Sequence, residues 1–154
     1  MTKSQLQHYE CNIQGNRIKP VSLNGAPVSA FCSPATSPGV QKLYVVKHNG
    51  DFCYVGIAER SITSRLRDGF NPNVKTGYHG YPWRNLLNVD LYVWTTTRFD
   101  RKAMEAIEAE LVFAIRLNTG KWPTHQMEIH FHNPLPAACR RQRKIAQALF
   151  QILK

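Results

Sequence analysis

Two neighbouring stretches of the chain carry apolar residues in the short runs and alternations that a strand requires. Residues 42–47 (Lys-Leu-Tyr-Val-Val-Lys) and 52–56 (Phe-Cys-Tyr-Val-Gly) are rich in β-branched and aromatic types, which suit a pleated, half-buried surface. His48-Asn49-Gly50-Asp51 lies between them and has the chemistry of a tight turn, so the pair predicts a β-hairpin that carries Tyr44 and Tyr54. Its register has two forms. A two-residue turn at Asn49-Gly50 pairs Tyr44 with Val55 and sends the tyrosines to opposite faces. A three-residue loop, or an equivalent bulge, brings both phenols to one face.

Helical periodicity follows. Ser61 precedes a short pattern of Ile62, Leu66 and Phe70, which predicts a capped helix. Residues 90–96 read as a third strand. Asp100 then opens a long helix that runs to about Leu117 and is ended by Asn118-Thr119-Gly120. Residues 126–132 suggest a further short strand, and residues 137–153 a last helix. The first 40 residues are different: Asn24-Gly25-Ala26-Pro27 and the stretch Ser33 to Gly39 have turn and linker composition. That segment is expected to add an edge strand or wrap the core. The fold expected is therefore α/β of the α+β type, a small, mostly antiparallel three-stranded sheet flanked by helices. It divides into an N-terminal extension (1–40), a core (41–133) and a basic C-terminal helix (134–154).

A chain of 154 residues is long enough to bury a core without metal or disulfide staples. Its charge changes the picture more than its size does. Twenty Lys and Arg stand against ten Asp and Glu, a formal charge of +10, which points to a polyanionic partner, most often nucleic acid. The four cysteines are widely spaced with no Cys-x-x-Cys, and no secretory or membrane-spanning stretch is evident. Reduced thiols in the cytoplasm are the expectation. His8 and Cys11 have a ligand-like spacing, but no second pair accompanies them.

The long helix carries the sharpest chemical signal. Met104, Ile107, Leu111 and Ile115 form one apolar face, and Glu108 lies within it. Glu105 and Glu110 flank the stripe and can reach water. A buried carboxylate is costly unless it is paired or binds a cation. An ion pair with Arg65 and a divalent metal satisfy Glu108 equally well at this stage.

Tyr44, then Tyr54-Val55-Gly56, then Arg65, then Glu108 form an ordered set that resembles the GIY-YIG nuclease family over roughly residues 41 to 133. The glycine and isoleucine of the first motif are replaced by Lys42 and Leu43. Arg65 lies one residue further from Tyr54 than is usual in the family, and Ile57 stands where some members have lysine. The resemblance implies metal-dependent hydrolysis of nucleic-acid phosphodiesters, DNA most readily, with Mg2+ or Mn2+ held by Glu108. It further implies that Tyr44 takes a proton from the attacking water, that Tyr54 orients water or phosphate, and that Arg65 grips the scissile phosphate. A free phenol titrates near 10, so a base role for Tyr44 needs help from a cation or another proton acceptor. Two readings from other classes stay open: a nucleic-acid-binding module that has lost cleavage, and a repair or restriction component whose specificity comes from a partner.

Other positions complete the expected site. His79 and Tyr81 compete as an accessory catalytic residue in the loop Gly77 to Arg84, whose aromatics and Arg84 suit base stacking with phosphate contact or else form a lid. Arg60 and Arg67 are expected phosphate contacts, with Arg65 the better catalytic arginine because it borders the buried face. Asn133 matches a family position that shapes the site. His130 and His132 share one strand face near Glu128 and are either solvent-facing or metal-binding. Arg140, Arg141, Arg143 and Lys144 are expected to track a nucleic-acid backbone.

Overall fold

The computed structural model describes residues 4–126 and 136–154. Along the chain run β1 (Ser4–Gln14), β2 (Arg17–Leu23), β3 (Ala26–Pro27), β4 (Gln41–His48), β5 (Asp51–Ala58), α1 (Ile62–Gly69), β6 (Asn88–Thr96), α2 (Arg101–Thr119) and α3 (Pro136–Leu153). All strand pairings are antiparallel, and the strands form one sheet in the order β3-β2-β1-β6-β4-β5. The architecture is α+β.

The sheet has six strands where the sequence predicts three, because the N-terminal segment supplies three of its own and joins them to β6 through β1. Tyr9, Cys11 and Ile13 are a period-two apolar set and all are buried. The polar Gln7 shares that face. It is buried, and its amide is satisfied by donating to Ser33 O at 3.2 Å and accepting from Ala35 N at 3.1 Å. An interior glutamine masked the alternation. The turn-rich stretch after β3 is held down by a second polar anchor. Lys42 is fully buried, and its ammonium donates to the carbonyls of Ser37, Val40 and Glu59. Burial pulls its pKa down to about 8, with Glu59 acting the other way.

Two apolar layers sandwich the sheet. On one face Tyr9, Tyr44, Val46, Leu91 and Val93 pack with Ile62, Leu66 and Phe70 of α1 and with Tyr81 and Trp83. On the other, Leu43, Val45 and Val55 pack with Met104, Ile107, Leu111 and Ile115 of α2 and with Leu149 and Phe150 of α3. Asp100 caps α2 by accepting from Ala103 N at 2.8 Å, and Gly120 ends the helix at a left-handed φ of 78°. Ser61 occupies the N-cap of α1 but makes no side-chain capping bond, contrary to expectation. The strand expected over 126–132 lies outside the described residues, apart from Gln126. Among the described residues no helix is long and apolar enough to cross a membrane.

The β4–β5 hairpin combines both anticipated registers. Asn49 and Gly50 have φ values of 50° and 84°, so the tip is a two-residue turn with His48 opposite Asp51. Beyond Lys47–Phe52 the pairing shifts by one residue, leaving Cys53 extra, and from there Val46 faces Tyr54 and Tyr44 faces Gly56. Tyr44 and Tyr54 thereby become diagonal neighbours on one face, with ring centroids 5.9 Å apart. Gly56 is the position that lets Tyr44 lie flat across β5. A Cβ there would meet the Tyr44 Cζ and hydroxyl oxygen at 2.5 Å and Tyr54 at 2.8 Å. We expect Gly56→Ala to lower unfolding free energy by about 1–3 kcal/mol through overpacking. Urea denaturation would read this as a reduced midpoint at unchanged slope, and a wild-type midpoint would contradict the described register.

Candidate active site

Among the described residues β5 is an edge strand, and the segment after α2 pairs with part of its outer side. Thr124 N and His125 N donate to the carbonyls of Phe52 and Cys53 at 3.1 and 2.8 Å. The Gln126 side chain then imitates one more strand residue, accepting from Val55 N at 2.9 Å and donating to Val55 O at 3.1 Å. Among the described residues this cover runs as far as Val55. Immediately beyond, a cavity of about 390 Å³ opens beside Tyr54 and Ile57. Arg65 of α1 reaches it from one face of the sheet, and Arg101, Glu105 and Glu108 of α2 from the other. The loop from Gly77 to Pro82 closes the remaining side.

Glu108 is the site's unusual group. It is 9% exposed in a helix face whose neighbours Met104, Ile107 and Leu111 are fully buried. Among the described residues it makes no hydrogen bond and no direct ion pair. Arg101 instead pairs with Glu105, Nε to Oε1 at 3.1 Å, and Arg65 stacks on the Tyr81 ring at 5.2 Å. Of the two ways of satisfying Glu108, the ion pair with Arg65 is therefore not formed. Burial, reinforced by Glu105, raises its pKa to about 8, while Arg65 and Arg101 oppose the shift.

Tyr44 departs from its expected place. It is fully buried and does not line the cavity, so it touches no space where a water or phosphate could sit. Its hydroxyl shares a 2.6 Å hydrogen bond with that of Tyr81. Burial, with Tyr81 and Tyr54 adjacent, pushes its pKa well above the ordinary phenol value, against a smaller pull from Arg65. Tyr54 does line the cavity; burial raises its pKa too, Arg65 lowering and Glu108 raising it in turn.

His79 and Tyr81 both line the cavity but sit differently. Tyr81 is buried and stacked on Trp83 at 5.0 Å, so its ring is not free to stack on a base, and it contacts the Tyr44 hydroxyl instead. Its ring lies where a Cβ on Gly69 would be, at 1.8 Å from that position. Arg84 is committed to the loop as well, donating to the carbonyls of His79 and Tyr81 at 2.8 and 3.0 Å. It braces backbone rather than presenting its guanidinium outward. His79 is exposed at the cavity rim.

The remaining basic residues scatter. Arg60 pairs with Asp68 at 2.5 Å, both half-exposed. Arg67 lines a different groove, between α1 and the start of β2, and so does not join the site. Arg143 pairs with Glu110 at 3.2 Å, whereas Arg140, Arg141 and Lys144 are exposed on α3. Asn133, Glu128, His130 and His132 lie outside the described residues. His8 and Cys11 point to opposite sides of β1: His8 Nε2 lies 2.7 Å from an Asp90 oxygen and Cys11 is in the core. Among the described residues no three or more His, Cys, Asp or Glu side chains cluster as a ready metal cage.

Three functional side chains of the cavity, Arg101, Glu105 and Tyr78, were not anticipated as site members. Arg101, Glu105 and Glu108 follow at intervals of four and three on α2, which alone places Arg101 on the carboxylates' side. Tyr78, 40% exposed, contributes a third phenol to the wall that Arg65 also lines. No protein-family model, curated protein or solved structure matches this chain.

The raised pKa of Glu108 has a definite sign in stability. The folded state holds that proton more tightly than the unfolded chain, so its contribution is full below pH 4.5 and is lost as pH rises towards about 8. Glu108→Gln, which stays neutral, should stabilise the metal-free protein at pH 8 and change little at pH 4. Thermal melts across that range test this. Parallel curves for the two proteins would mean that the carboxyl is not desolvated.

Proposed function

We propose that the chain is a metal-dependent endonuclease, a phosphodiester hydrolase acting on nucleic acid and on DNA in particular. One observation carries the reading: Glu108 is a desolvated carboxylate with no protein partner among the described residues, beside a guanidinium and three phenols in an open cavity. A structural ion pair would have been closed, and a solvated glutamate would not be buried. The ordered resemblance to the GIY-YIG family supports the same reading independently of the burial, since it rests on motif order.

The donor set suits a hard cation. Carboxylate oxygens of Glu108, with Glu105 one turn away, favour Mg2+ or Mn2+ over softer metals, and one or two carboxylates are what such ions take alongside substrate phosphate. A cation held there supplies Lewis-acid stabilisation of a phosphoryl oxygen. The chain's own groups would do the rest. Arg65, presented by α1 and oriented against the Tyr81 ring, would grip a non-bridging oxygen and offset charge developing on the phosphorane. Tyr54 would donate a hydrogen bond to phosphate or attacking water. Tyr44 would act through its bond to Tyr81, fixing that phenol and the loop it belongs to; this replaces the direct base role expected from the family pattern. Exposed His79 at the rim is then the better-placed proton acceptor.

The binding-only alternative draws on one specific observation, the sequestration of Tyr44 from the cavity. The two readings separate cleanly. Purified protein with Mg2+ or Mn2+ should nick or cut DNA, and Glu108→Ala should lower the rate by roughly 10²–10³ or more, the range for loss of a key electrostatic group, with DNA binding retained. Equal behaviour of Glu108→Ala and wild type in both assays would remove the catalytic assignment. Salt-sensitive binding with no metal-dependent product would leave the binding module.

A further inference from the structure

A second concave surface lies away from the cavity, on the sheet face that carries α2 and α3. A groove of about 310 Å³ runs between the end of β6, the connection to α2 and the first exposed turns of α3. Trp94 and Phe99 form its aromatic wall, with ring centroids 6.5 Å apart and both half-buried. Arg98, Arg141 and Lys144 line it and are exposed. Among the described residues none of these three has a carboxylate partner and no Asp or Glu lines the groove. Arg141 is held with its guanidinium carbon 5.0 Å from the Phe99 ring centre, which orients the cation without neutralising it. Along β6 the aromatic surface continues from Trp94 to Tyr92, which stacks on His8 at 4.2 Å.

We propose that this groove is a docking channel for a single-stranded segment of nucleic acid, with a base stacked on Trp94 and phosphates held by Arg98, Arg141 and Lys144. Three cations without counter-charge in one concavity are complementary to a polyanion. The aromatic wall selects among polyanions. A duplex offers phosphates but hides its base faces, and an acidic peptide offers carboxylates without a π-face, whereas a single strand supplies both partners at once. The placement fits a substrate that also enters the cavity. Phe99 lines the groove and Arg101 lines the cavity, so their Cα atoms are separated by at most about 7.6 Å, two trans peptide steps. One strand a few nucleotides long spans both. Of the reading above, this inference borrows the nucleic-acid substrate and not its cleavage.

The test is binding in EDTA, so that an inactive enzyme leaves the readout intact. Fluorescence anisotropy is followed with a labelled oligothymidylate of about 12 nucleotides, within the span of one such channel, and with a blunt duplex of the same length. The triple variant Arg98→Ala, Arg141→Ala, Lys144→Ala should bind the single strand at least tenfold more weakly. Its slope of log K against log salt should be shallower by about 2, for three phosphates at ~0.7 each. Trp94→Leu should weaken the single strand and leave the duplex nearly unchanged, while Trp94→Phe, which keeps a π-face, should hold most of the affinity and controls for folding. A triple variant that binds like wild type overturns the inference, as does an equal loss for duplex and single strand. Displacement of the oligonucleotide by polyglutamate at equal charge would assign the groove to an acidic protein and also overturn it.

Discussion

One extra residue in β5 decides what the two faces of this sheet can do. Without the bulge at Cys53, Tyr54 would pair with the same strand in the opposite sense and face α2, and Val55 would face α1. The apolar layer under α2 would then have to accommodate a phenol, and the polar cluster beside α1 would lose its central ring. Because side chains alternate with a period of two, such a slip is never local. It inverts every residue from the bulge to Ala58, including the glycine over which Tyr44 lies. The turn and the bulge together therefore set the hairpin, and the hairpin sets where Arg65 and Glu108 can meet.

The cavity is built around an edge and not within a face. α1 and α2 lie on opposite sides of the sheet, and their polar residues come together at the β5 edge, where Tyr54 and Ile57 line the same cavity. This explains how a carboxylate can be desolvated and still border open space: Glu108 lies between the buried Met104 and Leu111, yet lines the cavity that opens at the sheet edge. The resulting balance is two guanidinium groups against two carboxylates, with Arg101 and Glu105 paired and no ion pair between Arg65 and Glu108.

Much of this was legible in the residues. The apolar stripe with Glu108 inside it, the Asp100 cap and Gly120 stop, and the Asn49-Gly50 turn are local features, written in spacing and in the chemistry of single positions. The N-terminal strands were harder because a buried polar residue, Gln7, interrupts their alternation and is satisfied by backbone some 26 residues away. The sequestration of Tyr44 was not legible at all. It follows from Tyr81 folding over it, which depends on Gly69 and on Arg84 bracing the loop, three contacts that no periodicity announces. Long-range polar contacts were the common cause of what the pattern missed.

The partial covering of β5 has a consequence for association. An uncovered strand edge offers a ladder of amides and carbonyls to any extended chain. Here Thr124, His125 and the carboxamide of Gln126 occupy that ladder from Phe52 to Val55, and at the far side of the sheet β3 is only two residues long and ends in Pro27. Among the described residues what stays open is Gly56 to Ala58 of β5 and Arg17 to Pro20 of β2, and Pro20 has no N–H to offer a ladder. Pairing of copies through these edges is thereby disfavoured, and a formal charge of +10 on each copy opposes it further.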